Sequence, residues 1–232
     1  METTPVIPPL RHYLGEARFI ADWARGRRVE AELAKRYPGD GRPVIVLPGL
    51  FTSDARTKML RRVLTNAGYR TYGWGLGYNM PIRADIFERF GAQVYDVQQR
   101  EGAAVTLVGW SLGGLIARAY AAHEPEHIAG VITLGSPFSG NPRSNRAWKI
   151  YEMAADHKVD APPIIFDRSA KPPVPTAAIW SARDGIVAVE SARGEPHERD
   201  QEVEIACGHF AMSCAPDALE AVLKLLGGGL PK

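Results

Sequence analysis

The sequence predicts a single α/β domain built on a minimal, mostly parallel six-stranded sheet with helices on both faces. Short runs of β-branched and other apolar residues recur along the chain, as is typical of strands buried on both faces. They alternate with longer amphipathic or Ala- and Leu-rich segments, and this strand–helix alternation favours a parallel sheet covered on both sides. A length of 232 residues suits one such domain.

The first elements lie before the main domain. Residues 10–36 are charged and amphipathic and predict one or two helices packed outside the sheet, so that 1–42 form an N-terminal helical extension and 43–232 the domain. "PGDG" at 38–41 breaks the chain. Beyond it, the predicted strands are 43–47, 69–74, 104–109, 128–135, 176–180 and 202–206, and the predicted helices are 54–67, 83–101, 112–122, about 145–156, and 215–226. Ser53 or Asp54 is expected to cap the first of these helices, and Gly227-Gly228-Gly229 to end the last.

The alternation stops between residues 137 and 175, where the segment holds seven prolines. A long irregular insertion inside a compact domain is usually functional. We therefore expect a lid-like insertion whose apolar side chains cover a substrate, namely Phe138, Trp148, Ile150, Tyr151, Met153, Ile164, Ile165 and Phe166.

Composition excludes several classes of protein. Hydrophobic residues make up 45% and charged residues 23% of the chain, as in an ordinary globular protein. A formal net charge of +2 gives no reason to expect nucleic acid as a partner. No stretch has the length of a membrane span and no secretory signal is visible, so we expect a cytoplasmic protein. In that compartment Cys207 and Cys214 are expected to be reduced thiols, with a small disulfide as the alternative.

The stretch "VGWSLGGLIARAYAAHEPEH" contains two catalytic patterns, and a chain of this size is not expected to use both. His123 to His127 match H-E-x-x-H, which binds zinc when both histidines lie one turn apart on one helix face. Pro125 stands between them and interrupts a helix there. We therefore expect no metal site.

Gly109 to Gly113 match G-x-S-x-G, the elbow that presents a nucleophilic serine between a buried strand and a helix. Both flanking elements are predicted here, so Ser111 is the candidate nucleophile. Serine needs a base, which in turn needs an orienting acid, and this architecture orders them Ser, acid, His. Asp184 and His209 each follow a predicted strand end, where catalytic groups gather in open α/β sheets. The weaker candidates are Asp160, Asp167 or Glu190 as the acid and His197 as the base.

Acyl transfer also requires donors for the oxyanion. The backbone N–H after the nucleophile, that of Leu112, is one candidate, and the loop after the first strand supplies the other from Leu50, with Phe51 as second choice. A glycine-rich stretch, "GWGLGYN" at 73–79, lacks the spacing of a dinucleotide loop. We expect it to form a wall of the acyl pocket with Trp74 and Leu76.

The stretches "VIVLPGL", "LVGWSLGG", "LGSPFSG", "SARDGIV" and "CGHFAM" together resemble the α/β-hydrolase superfamily, and within it the bacterial lipase- and esterase-like members. The resemblance runs from about residue 43 to 226 and leaves out the first 42 residues. The family often has His-Gly where this chain has Pro48-Gly49.

The resemblance implies a serine carboxylesterase or lipase that works through an acyl-enzyme and needs no cofactor. Its expected partner is a small-molecule ester with an apolar acyl group, without nucleic acid or an integral membrane segment, and the oligomeric state is left open. The expected pocket residues are Phe51, Trp74, Trp110, Phe138, Ile186 and Phe210.

Two other functions fit the same residues. A thioesterase, acyltransferase or amidase could use the same triad, and a coenzyme A thioesterase would be expected to have a basic rim, for which Arg143, Arg146 and Lys149 are the candidates. A non-catalytic binding protein on a hydrolase fold is the other alternative, since fold alone does not fix function.

Overall fold

The structure is a computed structural model that describes residues 4–164 and 167–228. In this part of the chain six strands form one sheet in the order β2-β1-β3-β4-β5-β6, and every neighbouring pair is parallel. The strands are β1 Pro43–Leu47, β2 Arg70–Gly73, β3 Val105–Trp110, β4 Ile128–Leu134, β5 Thr176–Ser181 and β6 Gln201–Ile205. The predicted fold class and strand number are confirmed.

Burial of the strands follows their place in the sheet. β1 and β3 lie inside the sheet and every residue in them is buried, which explains their continuous apolar sequences. Successive side chains of β1 point into different cores, since Val44 and Val46 pack in one and Ile45 and Leu47 in the other. The edge strands β2 and β6 are partly exposed and correspondingly more polar.

Helices cover both faces of the sheet. Their bounds are α1 Leu10–Gly15, α2 Phe19–Arg36, α3 Lys58–Ala67, α4 Ile86–Glu101, α5 Leu112–His123, α6 Trp148–Ala154, α7 Val189–Arg193 and α8 Pro216–Gly228. α2, α3 and α8 share one core, and α4 and α5 share the other. α2 packs against both α3 and α8, so the N-terminal extension contributes one helix to the layer on that face of the sheet.

Several predicted helix ends are wrong: α4 begins at Ile86 rather than at residue 83, and α6 is shorter than predicted at both ends. α3 begins at Lys58 rather than at residue 54, because the carboxylate of Asp54 accepts hydrogen bonds from the backbone N–H groups of Trp74 and Gly75 instead of capping a helix. α8 continues through Gly227 and Gly228, the last residues described here, and Gly229 lies outside the described residues.

The insertion at 137–175 contains α6 and otherwise irregular chain. The hydroxyl of Tyr151 accepts a hydrogen bond from the N–H of Ile82 at 3.1 Å, and the N–H of Arg146 donates to Ile186 O at 2.7 Å. The insertion is therefore attached both to the loop before α4 and to the loop after β5. Of its predicted apolar residues, Ile165 and Phe166 lie outside the described residues.

Among the helices described, none combines the length and the apolar character needed to cross a lipid bilayer.

Candidate active site

Ser111 occupies the sharp turn between β3 and α5. Its backbone is at φ 54° and ψ −121°, a conformation that residues with a Cβ rarely adopt and that stores strain. The N–H of Ser111 donates to Leu134 O on the neighbouring strand at 2.8 Å, which holds the turn against β4.

The glycines around Ser111 are required by close backbone approach. A Cβ on Gly113 would lie 2.6 Å from the backbone oxygens of both Leu47 and Pro48, and one on Gly109 would lie 2.5 Å from Gly113 O. Neither position has space for a side chain, because α5 begins directly above the ends of β1 and β3. The G-x-S-x-G pattern is thus explained by packing of the turn.

Asp184 and His209 meet at the carboxyl end of the sheet. His209 Nδ1 lies 2.7 Å from Asp184 Oδ2, and both side chains are almost fully buried. The other carboxylate oxygen of Asp184 accepts the N–H groups of Ile186 and Val187, each at 2.8 Å. The carboxylate is therefore fixed by its own loop and aimed at the imidazole.

Opposing influences act on the imidazole of His209. Burial by itself lowers the pKa of His209, but the charge and hydrogen bond of Asp184, together with the charge of Glu16, raise this pKa above its ordinary value, against a smaller lowering by Arg56. The indole N–H of Trp110 donates to the backbone oxygen of His209 at 3.1 Å and holds the loop from the other side.

The backbone around the predicted oxyanion site leaves two donors free. Among the described residues, the N–H groups of Leu50 and Leu112 donate to no other protein atom. The N–H of Phe51, the second choice, is taken by Asn79 O at 2.7 Å. The amide of Asn79 in turn donates to Pro48 O at 2.6 Å, so the 73–79 loop supports the loop after β1.

Two cavities meet at Ser111. The outer one has a volume of about 590 Å³, and its walls include Ser111, His209, Trp110 and Phe210. The inner one, about 60 Å³, lies between α5 and the insertion, with Ser111, Leu112, Leu115 and Tyr151 in its walls. Leu50, Ala147 and Ile186 contribute to both cavities.

The predicted pocket residues are divided between these walls and the core. Phe51, Trp110, Ile186 and Phe210 line the outer cavity, and Ile186 also lines the inner one. Trp74 and Phe138 line neither. Trp74 is buried with its indole N–H bonded to Gly77 O at 2.8 Å, and the ring of Phe138 packs 4.0 Å from the guanidinium carbon of Arg118.

The weaker candidates for acid and base lie apart from Ser111. Asp160 pairs with Arg143 at 2.8 Å, and Asp167 accepts from Ser169 on the surface. Glu190 and His197 are exposed.

The H-E-x-x-H residues do not share a helix turn. α5 ends at His123 and Pro125–His127 form a separate 3-10 turn, at the opposite end of α5 from Ser111. Surface groups of Glu124, Glu126 and His127 approach one another there, about 18 Å from the elbow by helix rise. They take no part in the arrangement around Ser111.

The two cysteines near His209 are free and buried, and burial raises the pKa of both thiols. Their buried, protonated state makes them packing residues of the α8 core.

Sequence reasoning missed two residues that contact the His209–Asp184 pair. Gly135, at φ 55°, would place a Cβ 3.0 Å from His209 Nδ1 and 3.1 Å from Asp184 Oδ2. Glu16 accepts hydrogen bonds from the backbone of both loops. Gly135 could have been found, because it is a glycine at the end of a predicted strand. Nothing in the charged N-terminal sequence distinguishes Glu16 from its neighbours.

Known proteins share this architecture. The curated pimeloyl-[acyl-carrier protein] methyl ester esterase of Shewanella sp. (strain MR-7) is 31% identical over 113 residues, which are 47% of this chain and 40% of that protein. This chain therefore matches well under half the length of that relative.

Solved structures match over a larger share. The lipase BlEst2 of Bacillus licheniformis superposes with a TM-score of 0.59 at 16% identity, covering 82% of this chain and 94% of the lipase. Carboxylesterase CesB of Bacillus subtilis gives 0.57 at 14% identity, covering 90% and 99%. At such identities the likeness establishes the fold.

The sequence profile of the alpha/beta hydrolase fold matches residues 42–159, slightly more than half of the 232 residues. Together with the six parallel strands and the serine elbow between β3 and α5, this match shows that the chain belongs to the α/β-hydrolase fold family.

Proposed function

We propose that this protein is a serine ester hydrolase, a carboxylesterase or lipase, that uses Ser111, His209 and Asp184 as a triad. The observation that carries the proposal is the buried His209–Asp184 pair, 2.7 Å apart, on the wall of the same cavity as a strained serine elbow. A strained backbone, a buried acid–base pair and a shared cavity are together what nucleophilic catalysis requires.

In the proposed reaction, Ser111 Oγ attacks the ester carbonyl carbon while His209 Nε2 takes the serine proton. Asp184 accepts the Nδ1–H and stabilises the imidazolium. The carbonyl oxygen becomes an oxyanion, for which the unoccupied N–H groups of Leu50 and Leu112 are the proposed donors. The tetrahedral species collapses, His209 passes its proton to the departing alcohol, and water then releases the acid by the reverse sequence.

The methyl ester esterase supports ester chemistry, whereas the solved structures of similar fold include a thioesterase domain beside the lipase and the carboxylesterase and do not separate the two. The candidate basic rim supports the thioester alternative less well. Arg143 is paired with Glu152 and Asp160, and Lys149 lies over Trp148, so of the three only Arg146 lines the outer cavity.

Hydrolysis of p-nitrophenyl esters from acetate to palmitate tests the proposal, with wild type beside Ser111→Ala. We expect ester hydrolysis in wild type and a loss of about 10⁶-fold in kcat for the variant, the size of effect seen when a triad serine is removed. Labelling by a fluorophosphonate probe should likewise require Ser111.

Wild-type protein that reacts with the probe but cleaves no ester would redirect the proposal to thioesters or amides. Protein that neither hydrolyses esters nor takes the label would contradict the enzyme assignment and favour the binding role.

A further inference from the structure

Glu16 places a buried carboxylate beside both catalytic loops. It begins a short 3-10 turn between α1 and α2 and is only 4% exposed. Its Oε1 accepts the N–H groups of Gly185 and His209, and its Oε2 accepts the N–H of Phe210, all at 2.8 Å. Within the described chain no Lys or Arg forms an ion pair with it, so backbone donors alone compensate its charge. Burial of a charge in this way is costly and calls for an explanation.

The three donors belong to two separate loops. Gly185 follows the proposed acid Asp184, and His209 is the proposed base. One side chain thus ties the loop after β5 to the loop after β6, from a segment that precedes both by more than 160 residues. Ser181, the last residue of β5, also links the two loops through the N–H of Arg183 and Cys207 O, but its bonds stop short of Gly185 and His209.

Glycines in the two loops leave space for the N-terminal segment. A Cβ on Gly185 would lie 2.6 Å from the backbone of His12 and Tyr13, and one on Gly208 would lie 2.8 Å from Glu16 Oε2. Tyr13 and Phe19 also line the outer cavity next to Ser111. The N-terminal segment is therefore part of the wall of the site.

Charged groups approach His209 from three directions. Asp184 lies on its Nδ1 side, Glu16 lies beneath its backbone, and Arg56, in the turn before α3, reaches its loop by donating to Phe210 O. Glu16 is the second negative charge that acts on the imidazole, and its influence opposes those of burial and of Arg56.

We infer that Glu16 is a positioning residue of the proposed hydrolase site, which aligns the Asp184 and His209 loops and, through its charge, stabilises the protonated imidazole of the catalytic cycle. This inference rests on the proposed function. It makes the N-terminal segment a working part of the active site, although this segment lies outside the match to the hydrolase profile.

The test compares wild type with Glu16→Gln in two measurements across pH. The first is the second-order rate of fluorophosphonate labelling at Ser111, and the second is the titration of the His209 ring followed by NMR. Removal of the negative charge destabilises the imidazolium, so we expect the pKa of His209 and the acid limb of labelling to move to lower pH. The plateau rate should fall about 10- to 100-fold, because an amide NH₂ cannot accept the N–H of Phe210 and the loops shift.

Two further variants separate charge from alignment. Glu16→Asp keeps the charge but shortens the reach, so we expect a lower plateau with an acid limb close to that of wild type. Asp22→Asn neutralises an equally buried carboxylate of the same extension, which pairs with Arg25 instead, and should leave the His209 titration unchanged.

Coincident His209 titrations in wild type and Glu16→Gln would overturn the inference, even if activity fell through loss of stability. If Glu16→Gln does not fold, a wild-type plateau in Glu16→Asp overturns it. Failure of the proposed function has a different signature, since wild-type Ser111 would then take no label while the NMR titrations still report on the coupling.

Discussion

The His209–Asp184 pair packs against Gly135, a residue without a side chain. Gly135 directly follows β4 with φ at 55°, and its Cα faces both members of the pair. An added Cβ would lie 2.6 Å from the sulfur of the buried Met212 and 3.0 Å from the imidazole Nδ1, so both side chains would have to move. The pair and the turn at Ser111 therefore pack tightly over the carboxyl end of β4. The position of the His209 ring thus depends on the backbone that follows this strand.

We expect Gly135→Ala to lower kcat/KM about 10- to 100-fold, because a displacement of well under 1 Å at the pair is sufficient for such an effect. The substitution also forces a Cβ into a left-handed conformation, which lowers the free energy of unfolding by about 1–2 kcal/mol. Ester hydrolysis and urea unfolding measure the two effects.

Gly102→Ala is the matched control, since Gly102 has a similar φ of 65° at the end of α4 but no atom near the added methyl. It should lose less stability than Gly135→Ala, because it displaces no buried side chain, and it should keep full activity. Equal activity in the two variants would contradict the proposed contact.

Among the elements, α5 follows directly after Ser111 and carries a buried cation further along. Arg118 is 2% exposed, lies over the ring of Phe138, and donates from Nη2 to Ala170 O and Glu198 O, each at 3.0 Å. Burial lowers the pKa of Arg118 to about 10. The side chain thus binds α5 to the end of the insertion and to the turn before β6.

We expect Arg118→Ala to lower the free energy of unfolding by about 2–4 kcal/mol, because the buried carbonyl of Glu198 and the partly buried carbonyl of Ala170 lose their donor and the Phe138 ring loses its packing partner. Arg100→Ala, which removes an exposed i,i+4 pair with Asp96, should change it by about 0.5 kcal/mol or less. Urea unfolding measures both values, and equal values would show that the contacts of Arg118 contribute no net stability.

Features that depend on neighbouring residues can be predicted from the sequence, whereas contacts between distant segments cannot. The six strands follow from local apolar runs, and the elbow from five consecutive residues whose glycines the turn requires. Cap positions were less predictable, since Asp54 binds the backbone of a loop 20 residues later rather than its own helix. The contacts of Glu16 span 169 to 194 residues and follow no periodic pattern, so only the folded chain reveals them.

Over the whole molecule, the site is bounded by three parts of the chain. The sheet positions the elbow and the loops that carry Asp184 and His209. The N-terminal segment supplies Tyr13 and Phe19 to the outer cavity, and the insertion supplies Trp148 and Tyr151 to the inner one. The pocket is thus divided into a large outer and a small inner space with Ser111 between them. An ester bound at Ser111 must place its two halves in spaces of very different size.

Under the proposed mechanism, the position of His209 predicts which half of the ester occupies which cavity. His209 lines the outer cavity and is absent from the walls of the inner one. In the proposed mechanism His209 protonates the departing alcohol oxygen, so we propose that the alcohol occupies the outer cavity of about 590 Å³ and the acyl group the inner cavity of about 60 Å³. We therefore expect short acyl chains to be cleaved best, with wide tolerance in the alcohol.

Enlarging the inner cavity should shift this preference. Leu115→Ala removes apolar atoms from its α5 wall, so the acyl chain length with the highest kcat/KM should increase in the p-nitrophenyl series. Leu225→Ala makes the same truncation at a buried position on the opposite face of the sheet and should leave the preferred length unchanged, while both variants lose about 2–3 kcal/mol of stability. A wild-type optimum at palmitate, or an optimum that Leu115→Ala does not move, would place the acyl group in the outer cavity and reverse the assignment.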